Sequence, residues 1–235
     1  MKPIIVSLYM KNINPDVRIY QRKVIEKFRG TIPFYQMETR FTHGDSMEKI
    51  MQSILLDTDY DLVIFLDIDA IPLSPNSFSE LLQMTEDGKV IAGSPQSTNH
   101  LQEANGVFVA PSVMAIGTKL YKYIGSPSAE PTESSDVAEL WSMSYRMVTG
   151  KEPNFFDILQ YDGSPAPVRL PSGEVISVDH WVLDDASATK FGLNTVYGFK
   201  DEENSTPLFF HSYQSFVPGQ NEYFIGVCKS ILNEV

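Results

Sequence analysis

Short apolar runs and helical repeats of apolar residues alternate along the first two thirds of the chain. The runs predict strands, because a strand that is buried on both faces shows almost no polar position. The predicted strands cover residues 1–10, 32–37, 61–66, 89–94 and 105–116, the last of them bent or interrupted at Pro111. Strands separated by helices indicate βαβ units and a mainly parallel central sheet, so the predicted fold class is α/β.

Start and stop signals place the helices between these strands. Asn14 is a candidate cap for the first helix, Pro15 suits its first position, and Gly30 ends it. Asp45, with Glu48 three residues later, predicts that the second helix begins with a capping box. Further helices are predicted to begin near Asn76, at Ser135 or Asp136 with an end at Gly150, and at Asn221.

The last third of the chain predicts a small hairpin and helix portion. Pro171-Ser172-Gly173 lies between the apolar runs Val168-Arg169-Leu170 and Val175-Ile176-Ser177, which is a hairpin signal. The sequence has no internal repeat, no low-complexity tract and no linker. With 235 residues and 43% hydrophobic content, the chain is predicted to form one domain over residues 1–235.

Charge and cysteine content narrow the classes of partner and compartment. A formal net charge of -12 argues against a broad nucleic-acid surface and against binding to an anionic membrane face. Cys228 is the only cysteine, which excludes an intrachain disulfide and a cysteine-based zinc site. The first ten residues are too short and too mixed for a signal or membrane segment. We therefore expect an intracellular, cytoplasmic protein without a transmembrane segment.

Two aspartates close the apolar run that begins at Leu62. Asp67 and Asp69 are one residue apart, so in an extended chain they point to the same side. In open α/β sheets, ligands bind outside the carboxyl ends of the strands, where these carboxylates fall. Oxygen ligands suit a hard cation, so we expect Mg²⁺ or Mn²⁺ carrying a phosphate group. An Asp-x-Asp pair that serves only as turn or cap residues is the alternative.

The run ending in Phe65-Leu66-Asp67-Ile68-Asp69, together with the downstream segment Phe209-Phe210-His211-Ser212-Tyr213, resembles the nucleotide-sugar glycosyltransferases of the GT-A fold. Within that group the chain is similar to small glycosyltransferase-like proteins of phages and large DNA viruses. The resemblance implies a single GT-A-like, Rossmann-like domain, with a nucleotide-binding half over residues 1–100 and an acceptor-side half over residues 101–235.

The resemblance also implies roles for three side chains. Asp69 would ligate Mn²⁺ or Mg²⁺, Asp67 would share the metal or contact the ribose, and His211 would supply a third ligand. A metal at this point bridges the two phosphates of the donor and neutralises the charge that develops as the sugar leaves. For His211, a half-buried histidine with a backbone partner is the alternative.

Three carboxylates are candidates for the catalytic base. Asp136 and Glu139 follow the predicted fifth strand, where an inverting transferase would need a base for the acceptor hydroxyl. A helix N-terminus with favourable acidic residues explains the same two residues without catalysis. Asp179 in Asp179-His180-Trp181 is a rival site, or a helix start beside a packed tryptophan. The presence of candidates favours inverting chemistry.

Further residues are candidates for the nucleotide. The loop over residues 10–14 and the segment His43-Gly44-Asp45 follow the first two strands. The resemblance adds Tyr9, Arg18 and Gln36, and Arg18 could hold a phosphate bidentately or be a solvated helix residue. No glycine-rich phosphate loop or dinucleotide fingerprint occurs, so a P-loop or Rossmann cofactor site is not expected.

The expected function is transfer of a sugar from a UDP- or GDP-linked donor to a hydroxyl of a glycan or other acceptor. A haloacid-dehalogenase-like phosphatase would place threonine where this chain has Ile71. A nucleotidyltransferase would carry a glycine-rich loop with basic residues after Met10, and this chain does not. A protein that binds a nucleotide sugar or glycan without turnover stays an alternative.

Overall fold

The structure of the protein is a computed structural model that describes residues 1–97, 107–161, 166–169, 175–178, 194–201, 204–212 and 219–234. The helices within these ranges are α1 (Pro15–Phe28), α2 (His43–Asp57), α3 (Ser77–Met84), α4 (Thr118–Tyr123), α5 (Glu139–Thr149) and α6 (Gln220–Leu232). The strands are β1 (Pro3–Met10), β2 (Phe34–Thr39), β3 (Leu62–Asp67), β4 (Ala70–Pro72), β5 (Ala92–Ser97), β6 (Val107–Gly117), β7 (Asn154–Phe155), β8 (Asp157–Tyr161), β9 (Ala166–Arg169), β10 (Val175–Val178), β11 (Asn194–Lys200) and β12 (Ser205–Ser212).

A six-stranded sheet in the order β2-β1-β3-β6-β5-β7 forms the centre of the fold. β6 is antiparallel to both of its neighbours, β3 and β5. The other pairs in this sheet, β1–β2, β1–β3 and β5–β7, are parallel, so β6 alone among the six strands runs in the opposite direction. The predicted α/β class with a mainly parallel sheet is confirmed. β6 includes Pro111, and its pairing with β5 is interrupted near that residue, as predicted. Met114 pairs with Gly93 and Val109 pairs with Pro95, so the residues of β6 between them form a bulge.

A second, antiparallel sheet in the order β4-β12-β11-β8 packs beside the first, and the sequence analysis did not predict it. Its strands come from distant parts of the chain, so no short apolar pattern announces their pairing. β9 and β10 pair antiparallel, which confirms the two strands of the predicted hairpin. The turn between them lies outside the described residues.

Aromatic packing joins the two sheets. Phe209 on β12 is fully buried and contacts Phe78 and Phe156 at ring-centroid distances of 5.7 and 5.5 Å. On the other face of the central sheet, the buried Trp141 of α5 contacts Phe65 at 6.0 Å. Each such ring stabilises the fold by about 1.5–3 kcal/mol through burial alone. The second sheet is therefore anchored to the first by its core.

The helix boundaries partly follow the prediction. Asn14 caps α1 as predicted, since its side chain accepts a hydrogen bond from the backbone N–H of Asp16 at 2.9 Å. The capping box predicted at Asp45 is wrong, because α2 begins at His43 and Thr42 supplies the cap. Glu48 instead accepts hydrogen bonds from Ser128 Oγ and the backbone N–H of Ala129.

The other predicted helix ends are close to the observed ones. α3 and α6 each begin within one residue of their predicted starts. α5 begins at Glu139, three residues beyond the later of the two predicted starts, because Ala138 adopts a left-handed conformation that interrupts the helix. Gly150 ends α5 with a left-handed cap, as predicted. None of the helices in the described ranges is both long enough and apolar enough to cross a membrane.

Candidate metal and nucleotide site

Asp67 and Asp69 lie at the carboxyl edge of the central sheet. β3 ends at Asp67, Ile68 and Asp69 form a turn, and β4 starts at Ala70. The expectation of two aspartates alternating along one extended strand is therefore wrong for Asp69. The turn nevertheless brings the two side chains together, since both contribute to a cluster in which the ligand atoms lie within 4.8 Å of one another.

His211 completes that cluster from the second sheet. β12 pairs with β4 so that His211 lies opposite Ala70, and the backbone N–H of Ser212 donates to the Asp69 carbonyl at 2.9 Å. His211 Nε2 lies 3.3 Å from Asp69 Oδ1 and 3.6 Å from Asp67 Oδ2. The structure thus brings together the three residues for which the sequence analysis expected a metal.

Burial and mutual charge set the protonation of this cluster. Burial raises the pKa of Asp67. The nearby His43 and His211 partly offset this rise, and the negative charge of Asp69 adds to it. Burial alone would lower the pKa of His211, but the hydrogen bond that His211 donates to Asp69 and the negative charges of Asp69 and Asp67 outweigh it, so the pKa is raised. His211 of the metal-free protein therefore keeps its proton to a higher pH than a free imidazole does, because the neighbouring carboxylates stabilise the positive charge.

The donor set fits a divalent cation. Two carboxylates suit Mg²⁺ and Mn²⁺, and an imidazole adds affinity for a transition metal such as Mn²⁺. The side chains of Asp69 and His211 are 10% and 9% exposed, while Asp67 is 24% exposed and faces the cavity described below. A cation held here would be shielded on the protein side and open on the cavity side. Such a site leaves coordination positions for a ligand.

A cavity of about 410 Å³ opens directly beside the carboxylates. Leu8 pairs with Asp67, so the residues that follow it at the end of β1 reach the same edge of the sheet. The cavity walls combine the two aspartates with aromatic, apolar and polar side chains: Leu8, Tyr9, Met10, Asn12, Ile13, Thr39, Phe41, His43, Asp67, Ile68 and Asp69. A largely apolar pocket with a few convergent polar groups is the usual form of a small-ligand site.

His43 is a polar residue of the cavity wall that approaches Asp67 at one carboxylate oxygen, while His211 approaches the other. It lies in the first turn of α2, and its Nε2 is 3.5 Å from Asp67 Oδ1. The sequence analysis selected the segment containing His43 for the nucleotide, and the structure places it at the cavity. Since it faces both the carboxylate cluster and the open space, His43 is positioned to contact an anionic group bound there.

Arg18 and Gln36 line a separate cavity of about 290 Å³ and not the one beside the carboxylates. Tyr9, which the resemblance selected together with them, lines both cavities. Arg18 donates to Tyr9 Oη at 2.9 Å and covers the Tyr9 ring at 4.8 Å. Gln36 donates to the carbonyl of Arg18 at 2.9 Å. Arg18 therefore supports Tyr9 directly, and Gln36 supports it only through the backbone of Arg18.

Asp136 lies three residues before α5, and Glu139 is the first residue of that helix. Asp136 Oδ2 accepts a hydrogen bond from Gln96 at 3.2 Å, and Gln96 lies near the carboxyl end of β5. Asp136 is therefore at the same sheet edge as the metal cluster. Glu139 is buried and accepts from the backbone N–H of Asp136 at 2.7 Å, a helix-capping contact. Asp179 lies outside the described residues.

Gln21 is a site residue that the sequence analysis missed. It is fully buried on α1 and donates from Nε2 to the carbonyls of Asp67 and Ala70. A signal was present, because Gln21 is the polar member of the buried helical face formed with Val17, Val24 and Ile25. A polar residue on such a face needs buried partners, and here they belong to the aspartate turn.

Comparison with known proteins gives similarity of fold. No family model matches the sequence, and no curated protein matches it. Among solved structures, protein A197 from STIV is 15% identical with a TM-score of 0.45, and the match covers 78% of this chain and 97% of that one. A glycosyltransferase involved in glycosylation of the major capsid of PBCV-1 is 12% identical with a TM-score of 0.45, covering 66% and 81%.

A third similar structure is the Drosophila β-1,4-galactosyltransferase 7 in complex with manganese, UDP-Gal and xylobiose. It is 13% identical with a TM-score of 0.40, and the match covers 66% of this chain and 64% of that one. All three TM-scores are below 0.5, so none of them assigns a function to this chain.

Proposed function

We propose that the protein is a metal-dependent glycosyltransferase that moves a sugar from a nucleoside-diphosphate donor to a hydroxyl acceptor. The observation that carries the proposal is the Asp67, Asp69 and His211 cluster at the mouth of the 410 Å³ cavity. Clustered metal ligands that adjoin a cavity with aromatic walls suit a ligand with a diphosphate and a planar base. The expected donors are UDP- or GDP-linked sugars.

The three cluster residues would hold Mn²⁺ or Mg²⁺. A divalent ion bound there supplies positive charge that neutralises the diphosphate as it becomes the leaving group. His211, when neutral, offers Nε2 as a ligand, and Asp69 reaches the same point from its turn. His43 would donate a hydrogen bond to a phosphate oxygen, since it faces both Asp67 and the cavity.

The aromatic walls would bind the base and ribose. Tyr9 is held in place by Arg18, and Phe41 is covered on one side by Lys49, whose Nζ lies 4.2 Å from the ring centroid. Both rings line the cavity beside the two aspartates. An aromatic face that is already ordered costs little conformational entropy when a base stacks on it.

Asp136 would accept the proton of the acceptor hydroxyl. It is bonded to Gln96 on β5, and β5 is separated from β3 by β6 alone, roughly 10 Å at the usual strand spacing. That separation leaves space for a sugar between the metal cluster and the base. A base on the far side of the sugar from the leaving group favours inversion. Glu139 is engaged in helix capping, which favours Asp136 of the two.

The proposal is tested by thermal unfolding with UDP, GDP and their sugar conjugates, with and without Mn²⁺. A matching donor at 100 times its dissociation constant stabilises the native state by about 2.7 kcal/mol, and we expect that shift only when the metal is present. Asp69→Asn should abolish the shift, whereas Asp59→Asn should retain it because Asp59 is an exposed partner of Lys2 at the other end of β3.

Product analysis separates the alternatives. A glycosyltransferase releases nucleoside diphosphate from the donor, whereas a nucleotidyltransferase forms or consumes pyrophosphate. Binding of a nucleotide sugar without release of any product would identify a protein that binds without turnover. A wild-type protein that shows no metal-dependent response to any of these ligands would overturn the proposed function.

A further inference from the structure

We infer that Gln21 is the positioning residue of the turn that carries the two aspartates, an inference that rests on the metal site proposed above. Its Nε2 donates to the carbonyl of Asp67 at 2.6 Å and to the carbonyl of Ala70 at 3.1 Å. These carbonyls mark the two ends of the turn over residues 67–70. One buried amide on α1 therefore fixes the distance across the turn from which both carboxylates project.

The orientation of the Gln21 amide is determined by its other partners. Its Oε1 accepts from Ser7 Oγ at 3.1 Å and from Gln36 Nε2 at 2.9 Å. Gln36 Nε2 also donates to the carbonyl of Arg18, which can only accept, so Gln36 presents a donor on this side. The Gln21 oxygen must face that donor. Its two N–H groups are then directed at the aspartate turn.

The turn is held from two sides. Gln21 holds its two ends from α1, and the backbone N–H of Ser212 on β12 holds the Asp69 carbonyl from the second sheet. Removing the amide would take a donor from two carbonyls at a buried position, and the turn would shift towards other partners. Metal ligands tolerate displacements of only about 0.5 Å before affinity falls. Gln21 thus acts on the metal through backbone positions alone.

The experiment compares Gln21→Met with Ser7→Ala in the full chain. Gln21→Met keeps the volume and removes both donors to the turn, whereas Ser7→Ala removes a partner of Gln21 on the far side and leaves those donors. Mn²⁺ affinity is measured by electron paramagnetic resonance of the free ion. Amide hydrogen exchange of the peptide covering residues 67–72 is measured on the metal-free protein.

We expect Gln21→Met to weaken Mn²⁺ binding by about 10–100-fold, as substitutions of residues behind metal ligands do, and Ser7→Ala to change it by less than about twofold. Exchange at residues 67–72 should accelerate in Gln21→Met and stay near wild type in Ser7→Ala. If Gln21→Met does not fold, Gln21→Asn keeps the amide but shortens its reach by one methylene, and it should show the same two effects.

Three results would overturn the inference: wild-type affinity and exchange in the Gln21 variants, equal losses in Ser7→Ala, or slower exchange at the turn. A wild-type protein that binds no Mn²⁺ would overturn the metal site, and the exchange data on the metal-free protein would then decide the role of Gln21 alone. Failure of the proposed function and failure of this inference are therefore distinguishable.

Discussion

The two sheets of this protein contribute to the candidate site in different ways. The central sheet provides Asp67 at the end of a strand whose apolar run is visible in the sequence. The second sheet provides His211 on β12, which pairs with β4 across more than a hundred residues of chain. Asp69, in the turn between β3 and β4, is in contact with both. The metal cluster thus forms where the two sheets meet.

This arrangement makes the geometry of the site depend on the packing between the sheets. The backbone N–H of Ser212 donates to the Asp69 carbonyl, and Phe209 on the same strand lies in the core shared with Phe78 and Phe156. Of the three ligands, the central sheet itself carries Asp67 alone, while Asp69 and His211 depend on the contact with the second sheet. Variants that affect one sheet and not the other should therefore separate stability from metal binding.

The largest effect is expected from truncating one core aromatic in each region. Phe209→Ala and Trp141→Ala each remove a fully buried ring, so each should reduce the free energy of unfolding by about 3–5 kcal/mol in urea titrations. Phe209→Ala should also weaken Mn²⁺ binding, because β12 carries His211. Trp141 packs against the other face of the central sheet, so Trp141→Ala should leave Mn²⁺ affinity near wild type. Equal Mn²⁺ losses in both variants would contradict the division of roles.

Replacing the ligand from the second sheet should have the next largest effect. We expect His211→Gln to reduce Mn²⁺ affinity by at least about 10–100-fold, the range seen even for residues behind the ligands. Isothermal titration calorimetry of the metal-free protein measures this directly. Thr195→Val, at the position paired with His211 on β11, is a matched control that should retain the affinity. Unchanged binding in His211→Gln would reduce the site to the two aspartates.

The pH dependence of Mn²⁺ binding should reveal the protonation of His211. The metal requires the neutral imidazole, and the pKa of His211 is raised, so affinity should fall by about tenfold per pH unit below that pKa and level off above it. The metal-free protein should show the opposite sign. A proton on His211 stabilises the fold fully below the unfolded-state pKa of about 6.5, and this contribution is lost as pH rises through the raised folded-state pKa.

His211→Gln is the control for both measurements. In that variant, the Mn²⁺ affinity should lose most of the pH dependence that the wild type shows below the pKa of His211, and the unfolding free energy of the metal-free protein should no longer carry the histidine contribution. A wild-type affinity that does not change with pH across this range would show that His211 does not bind the metal.

How far the sequence predicts this site depends on how local each contact is. Asp67 and Asp69 follow a continuous apolar run, and such a pattern can be recognised without knowing the fold. The role of His211 depends on the register of β12 against β4, which no local pattern specifies, and only a family resemblance suggested it. Gln21 shows an intermediate case, since its burial was visible as helical spacing while its partners were not.

The helix starts show the same difference. At α1, Asn14 and Pro15 are local signals, and the observed cap matches them. At α2, the local sequence allows either Thr42 or Asp45 as the cap residue, and Thr42 is the cap in the structure. A residue distant in sequence stabilises this helix start. Glu130 accepts from the backbone N–H of Asp45 at 2.7 Å and contacts Thr42 Oγ1. Such long-range partners are invisible in the sequence around α2.

The smallest effect is expected from removing these two caps. Asn14→Ala should reduce the free energy of unfolding by about 1 kcal/mol, because one backbone N–H of α1 loses its partner. Thr42→Ala should cost less than Asn14→Ala, since Glu130 still accepts from the Asp45 N–H. The loss of unfolding free energy in the double variant Thr42→Ala with Glu130→Ala should exceed the sum of the two single losses, as expected for partners that compensate for each other. Urea unfolding of the wild type, Asn14→Ala, Thr42→Ala, Glu130→Ala and the double variant measures these effects, and strict additivity would show that Glu130 does not contribute to the cap.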